Sequence, residues 1–177
     1  FSPYFPRAFY HCANTAAIDR FPAAQMDMVR LGIGLYGVAA TSEDQSYLQP
    51  VHRWISHISQ ITSVKEGEPV GYGMSDVSVR ERVIATVPVG YADGFKRILS
   101  NGVGKVMIQN QSCITVGRIC MDMMMVDVTG LDVKEGDEVI LLGEGRSLQE
   151  WAKDCQTIPY EILTSISQRV KRIYIQA

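Results

Sequence analysis

The chain has 177 residues, 46% of them hydrophobic and 20% charged, which is ordinary for a soluble globular protein and leaves room for one large domain or one domain plus a piece of another. A net charge of -2 gives no electrostatic case for nucleic acid or an anionic membrane, and no apolar run approaches the ~18 residues of a membrane span. Cys12, Cys113, Cys120 and Cys155 form no CxxC pair and no Cys/His ligand spacing, which argues against zinc or a disulfide framework and for free thiols in a reducing cytoplasm.

The chain begins at Phe1, and residues 1–10 are aromatic and apolar; they read as the interior of a longer chain. Residues 1–45 read as α/β. His11-Cys12-Ala13-Asn14-Thr15 ends a strand, with Asn14 or Thr15 as a helix cap, and a short helix is expected from Ala16. Pro22 interrupts, and residues 23–28 suggest another helical turn. Residues 29–37 look like a buried strand entering a Gly-rich loop, so strand, helix and strand suggest a parallel α/β unit too short to close a sheet. Residues 41–50 are polar and aperiodic, a linker that divides 1–45 from 46–177.

From Val51 the pattern turns to β. Strands are expected over 54–64, 82–91, 105–108, 114–120, 123–128 and 138–142. In 82–91, Val83, Ala85, Val87 and Val89 share one face, Ile84 and Thr86 the other, and Pro88 belongs at an edge or bulge. Val64-Lys65-Glu66-Gly67-Glu68 nearly repeats as Val133-Lys134-Glu135-Gly136-Asp137, by duplication or by a turn solution used twice. Ser147 with Glu150 is a capping box opening one helix, and Pro159 opens a second. A final strand is expected over 172–175. The whole is mainly β, a small barrel or sandwich with two short helices after an α/β segment.

Five places hold polar residues where a β core wants apolar ones. Tyr72, between Gly71 and Gly73, either decorates a loop or projects its phenol into a cavity. Gly90-Tyr91-Ala92-Asp93-Gly94 breaks a strand and reads locally as a solvated turn. Arg118 and Asp122 lie in an apolar run and must satisfy each other or a ligand, since a buried charge is costly unless paired. Arg30 poses the same question. Tyr160, at a helix start, reads as core with a satisfied hydroxyl. His11, His52 and His57 show no metal spacing, and the run from Met121 to Met125 reads as adaptable packing.

Taken together, His11-Cys12-Ala13-Asn14-Thr15-Ala16, residues 27–37, Gly71-Tyr72-Gly73, Gly90-Tyr91-Ala92-Asp93-Gly94, Gly117-Arg118-Ile119-Cys120-Met121-Asp122 and Ile158-Pro159-Tyr160-Glu161 resemble alanine racemase, in the same order and at similar spacing. The resemblance covers essentially the whole chain. It implies the last part of a TIM-type α/β barrel that binds pyridoxal 5'-phosphate, followed by the family's C-terminal β domain. The implied activity is interconversion of L- and D-alanine, which supplies peptidoglycan synthesis in the cytoplasm.

Inverting a stereocentre needs a base on each face. The resemblance makes Tyr72 one base and the cofactor's lysine the other. A free phenol titrates near pH ~10, so such a base depends on nearby cations or hydrogen bonds. Arg30 matches the arginine facing the pyridine nitrogen, and His11 the residue supporting it. Thr15, Gly32, Ile33 and Tyr160 match phosphate contacts, with Thr15 where the family more often has Ser. Met121 matches the backbone N–H that meets the substrate carboxylate, and Tyr91 and Arg118 line the substrate approach. The family's lysine sits in a lysine-alanine-asparagine-alanine-tyrosine-glycine segment, and Lys65, Lys96, Lys105, Lys134, Lys153 and Lys171 all lack that context. The chain by itself is therefore expected to be inactive. The resemblance also implies a homodimer whose tyrosine and lysine come from different subunits. Other readings are a non-catalytic β dimerisation or binding module, a related serine racemase, or a racemase fused to a cell-wall ligase.

Overall fold

A computed structural model describes residues 4–5, 7–39 and 44–175. The chain divides into two compact units, Phe1–His52 and Arg53–Ala177.

In the first unit, Asn14 caps helix α1 (Thr15–Arg20) by accepting a hydrogen bond from Ala17 N–H. Pro22 then opens only a 3-10 turn, Pro22–Ala24, and the expected helical turn does not continue to Met28. Residues 10–14 and 27–30 run side by side. Asp27 N–H donates to Tyr10 O, Arg30 N–H donates to Ala13 O, and Asn14 and Arg30 form a parallel bridge. The parallel relation is as expected, but residues 29–37 are not a buried strand. Val29, Leu31 and Leu35 are exposed, and Ile33–Tyr36 is a 3-10 turn that buries Ile33. A strand forms where neighbouring backbones take up its hydrogen bonds, and among the described residues of this unit the Asn14–Arg30 bridge is all the strand-like pairing. Of the expected linker, residues 41–43 lie outside the described residues; Asp44–Tyr47 forms a further 3-10 turn.

The second unit is built on a seven-stranded antiparallel sheet. Its strands are β1 (Trp54–His57), β2 (Gln60–Val64), β5 (Arg82–Val87), β6 (Lys105–Ile108), β7 (Gln111–Val116), β8 (Met124–Asp127) and β9 (Glu138–Leu142), in the order β1-β9-β6-β7-β8-β5-β2. A separate ribbon pairs β3 (Pro69–Val70) with β4 (Asp76–Val77).

The single strand expected over 54–64 is two strands, and they form the two edges of the sheet. Only Ile58 and Ser59 separate them. Ile58 N–H donates to Asp137 O beside β9, while Ser59 N–H donates to Thr86 O of β5. Two edges joined by two residues must come together there, so the sheet curls like a barrel. Trp54, Phe95, Leu99, Ile108, Met124, Leu141 and Trp151 are all buried, with the Trp54 and Phe95 ring centroids each 5.4 Å from that of Trp151. Ile84 is buried too, in a second cluster with Val64, Val70 and Val116, against which Met125 packs. Both faces of β5 are thus covered, with Ile84 buried on one and Ala85 and Val87 on the other. Pro88 follows the end of β5, where no ladder N–H is missed.

Both copies of the near-repeat form the same turn. Lys65 N–H donates to the Glu68 carboxylate at 2.8 Å and Lys134 N–H to the Asp137 carboxylate at 3.0 Å, with Gly67 and Gly136 at φ 84° and 90°. Helices α2 (Leu148–Asp154) and α3 (Pro159–Ser165) close the unit, α2 with the capping box complete. Residues 172–175 form no strand, and Ile173, Tyr174 and Ile175 are exposed. Among the described residues, no helix is long and apolar enough to cross a membrane, and no three His, Cys, Asp or Glu side chains could share a metal.

Candidate functional site

Tyr72 stands in the turn of the β3–β4 ribbon. Gly71 has φ 77° and ψ -178°, a conformation essentially reserved for glycine, and Gly73 has φ 67°. Flanked by two residues without side chains, Tyr72 projects and is 73% exposed. The ribbon is held at both ends. At its base Arg82 forms an ion pair with Asp76 and donates from Nε to Ser78 Oγ at 2.6 Å. At its side Gly117 presses on the Val70 carbonyl, where an added Cβ would stand 2.7 Å away.

That packing brings Arg118 to Tyr72's turn. A Cβ on Gly73 would lie 3.2 Å from Arg118 Nη1. Arg118 pairs with no carboxylate among the described residues, so the alternative in which it neutralises Asp122 is not what forms. Asp122 instead accepts from Arg169 Nη2 at 2.7 Å.

The Gly90–Gly94 segment is no solvated turn. Asp93 is buried; its Oδ2 accepts from Gly90 N–H at 2.9 Å and its Oδ1 from Arg169 Nε at 2.7 Å. Tyr91 N–H donates to Cys120 O and Ala92 N–H to Met121 O, each at 3.0 Å. Gly90 is required here because a Cβ would come within 2.3 Å of the Cys120 carbonyl. Tyr91 and Met121 are both exposed, and the Met121 N–H donates to nothing among the described residues. In the methionine run Met124 is fully buried while Met121 and Met123 are exposed. The Cys120 thiol is pushed up, chiefly by burial, against a smaller opposing pull from Arg97.

The structure therefore gathers Tyr72, Arg118, Met121 and Tyr91 on one connected group of loops. Tyr160 is not joined to them by a hydrogen bond. It is exposed rather than core, on the first turn of α3, whose Glu161 pairs with Lys96 just beyond the Tyr91 loop. The residue missed by sequence reasoning is Arg169. Its guanidinium is held more firmly protonated by Asp93 first and Asp122 second. No local signal marks it, since its partners lie 76 and 47 residues away.

The remaining candidates lie in the first unit. Thr15 Oγ1 accepts from Gly32 N–H at 2.9 Å, joining the start of α1 to the turn at Ile33. Ile33 buries its side chain, so only its backbone N–H, which is unspent among the described residues, can meet a ligand. Arg30 is exposed, gives one bond from Nη2 to Cys12 O at 3.2 Å and pairs with no carboxylate among the described residues. His11 is exposed and makes no hydrogen bond to Arg30.

Comparison with known proteins agrees across the chain. The model of the alanine racemase C-terminal domain matches residues 51–174, and that of the alanine racemase N-terminal domain matches residues 2–40. The chain is similar to the alanine racemase of Halothermothrix orenii, 44% identical over 171 residues, covering 93% of this chain and 45% of that protein. It is similar to that of Clostridium tetani, 41% identical over 174 residues, covering 94% and 45%. Among solved structures, the alanine racemase of Clostridium difficile 630 superposes with a TM-score of 0.88 at 44% identity, over 95% of this chain and 45% of that one. The alanine racemase of Bartonella henselae with covalently bound pyridoxal phosphate gives 0.88 at 40% identity, over 96% and 48%. The chain spans about 45% of the length of the curated relatives it matches.

Proposed function

The chain belongs to the alanine racemase family, and from that premise we propose that it supplies the second half of a pyridoxal-phosphate-dependent racemase interconverting L- and D-alanine. The observation that carries this reading is Tyr72, exposed on a turn flanked by Gly71 and Gly73, with Arg118, which pairs with no carboxylate among the described residues, packed on Gly73.

The residues of the first unit fit the cofactor. A phosphate wants hydroxyls and free N–H groups, which Thr15 and Ile33 supply around Gly32. A pyridine nitrogen left uncharged wants a donor that never loses its proton, which Arg30 supplies. His11 would support Arg30. When bound, pyridoxal phosphate supplies the electron sink for the charge left behind as an α-proton departs.

The chain's own residues then divide the work. Tyr72 Oη takes or returns the proton on one face of the substrate carbon. Met121 N–H, which donates to nothing among the described residues, binds the carboxylate. Arg118 and Tyr91 line the approach. We assign Tyr72 to the site of a second copy of the chain in a homodimer, which its exposure and that of neighbouring Met74, Val77 and Val79 support. The product D-alanine would serve peptidoglycan synthesis in the cytoplasm, a compartment that suits the four free cysteines. Since no lysine here has the cofactor-bearing context, the chain alone is expected to show no turnover with pyridoxal phosphate.

The test is Tyr72→Phe in the full-length protein that carries this chain. Racemisation should fall in both directions while cofactor absorbance persists, and solvent deuterium should still enter one enantiomer. Undiminished racemisation would sink the assignment.

A further inference from the structure

We infer that Arg169 is a positioning residue: by clamping Asp93 and Asp122 it holds the Tyr91 loop and the Met121 loop in one register, and so fixes where the Met121 N–H meets a substrate carboxylate. This rests on the reading of Met121 as the carboxylate donor.

The two loops touch through Tyr91 N–H to Cys120 O and Ala92 N–H to Met121 O. Each loop also presents an aspartate. Asp93 is buried, and Asp122 directly follows Met121. Two carboxylates brought together repel unless a cation lies between them. Arg169 is the cation bonded to either among the described residues, at 2.7 Å to Asp93 from Nε and 2.7 Å to Asp122 from Nη2. A guanidinium can serve both at once because its donors form a rigid planar fork; an ammonium is a point charge and cannot copy that geometry.

The segment that carries Arg169 is built to present it. Ser167 N–H donates to Asp93 O at 2.9 Å, and Val170 N–H returns to Ser167 O at 3.1 Å. Arg172 donates to the carbonyls of Ile166, Ser167 and Val170. Beyond this segment Ile173, Tyr174 and Ile175 are exposed. Polar bonds to the two loops are what this stretch contributes.

The experiment compares Arg169→Gln and Arg169→Lys by amide hydrogen exchange on this chain, then by kinetics in the full-length protein. Arg169→Gln should speed exchange at Tyr91 and Ala92 by about tenfold or more while Val126 in β8 keeps its protection. Arg169→Lys, which restores charge without the fork, should fall between. In the full-length protein Arg169→Gln should raise KM for alanine about tenfold with kcat little changed, the mark of lost substrate binding. Unchanged exchange at Tyr91 and Ala92 in both variants, or loss of protection at Val126 to the same degree, would overturn the clamp. A fall in kcat with KM unmoved would overturn its link to the carboxylate. An inactive wild type would strike the racemase reading alone, and exchange at Tyr91 and Ala92 would still decide the clamp.

Discussion

The Arg118 guanidinium lies over Gly73, so close that a Cβ on that glycine would sit 3.2 Å from Nη1. Gly73 is therefore constrained twice, by φ 67° and by its neighbour. Gly71 is constrained more severely, with φ 77°, ψ -178°, and Met125 Cε and the Arg118 N at 3.1 and 3.3 Å from an added Cβ. Gly67 offers a control, since it shares the positive φ but has open space around it. Replacement by Ala at Gly67 should cost about 1 kcal/mol from backbone strain alone. Gly73→Ala should cost somewhat more, and Gly71→Ala about 2–3 kcal/mol. Urea unfolding of the three variants checks the order. Equal losses at all three would mean that the arginine and methionine contacts contribute nothing.

The alkaline limb of stability should carry the signature of Cys113. Burial first, and the Asp127 charge second, push its thiol from 9.0 up to about 11. The folded state keeps the proton while the unfolded chain releases it. Between those values the unfolded state binds fewer protons, so stability falls as pH rises. Below pH 9.0 the group favours neither state. Cys113→Ala should flatten the decline between these two values relative to the parent, measured by denaturant midpoint against pH. Alkylation at pH 8 should meanwhile label exposed Cys12 long before Cys113.

Much of this was legible because it is local. Ser147 and Glu150 lie three residues apart, and their reciprocal bonds form as the spacing predicts. The Lys-Glu-Gly turns need only their own side chains, so both form alike. What was not legible depends on distant pairing. Nothing in residues 54–64 says that Ile58 bonds toward β9 while Ser59 bonds toward β5. Residues 29–37 and 172–175 have strand-like composition, yet a strand forms only where another backbone accepts its hydrogen bonds. Asp93 sits between residues that look like a turn; its bond from Gly90 N–H is local, but the charge that pairs with it comes from Arg169, 76 positions on. The chemistry around Tyr72 was readable as a set of motifs; the packing of Arg118 on Gly73 was not.

The capping box offers a smaller test with a defined pH dependence. The Glu150 carboxyl is held below its usual range, first by the Ser147 backbone N–H and then by the Ser147 hydroxyl. A depressed folded value stabilises above the unfolded carboxyl range and is lost as pH falls through the folded value. Ser147→Ala should cost about 1 kcal/mol at pH 7. The gap to wild type in thermal melts should narrow in acid, where Glu150 protonates in both proteins. A gap that widens there would contradict the box as the source.

Arg146 is the buried charge on which α2 depends. Its side chain is 5% exposed, and its Nη2 donates to Asp154 at 2.6 Å. Its Nε, also buried, has no hydrogen-bond partner among the described residues, so Asp154 is its compensation. Asp154→Ala would strand the guanidinium in the interior, and removing one partner of a buried pair costs about 3–5 kcal/mol. Replacing both, as Arg146→Met with Asp154→Ala, removes the charge together with its partner and should recover most of that loss, because desolvating an ion pair offsets much of its attraction. Denaturant unfolding of the two single variants and the double closes the cycle. Additive losses would show that the pair is not coupled and that Arg146 is solvated by some other route.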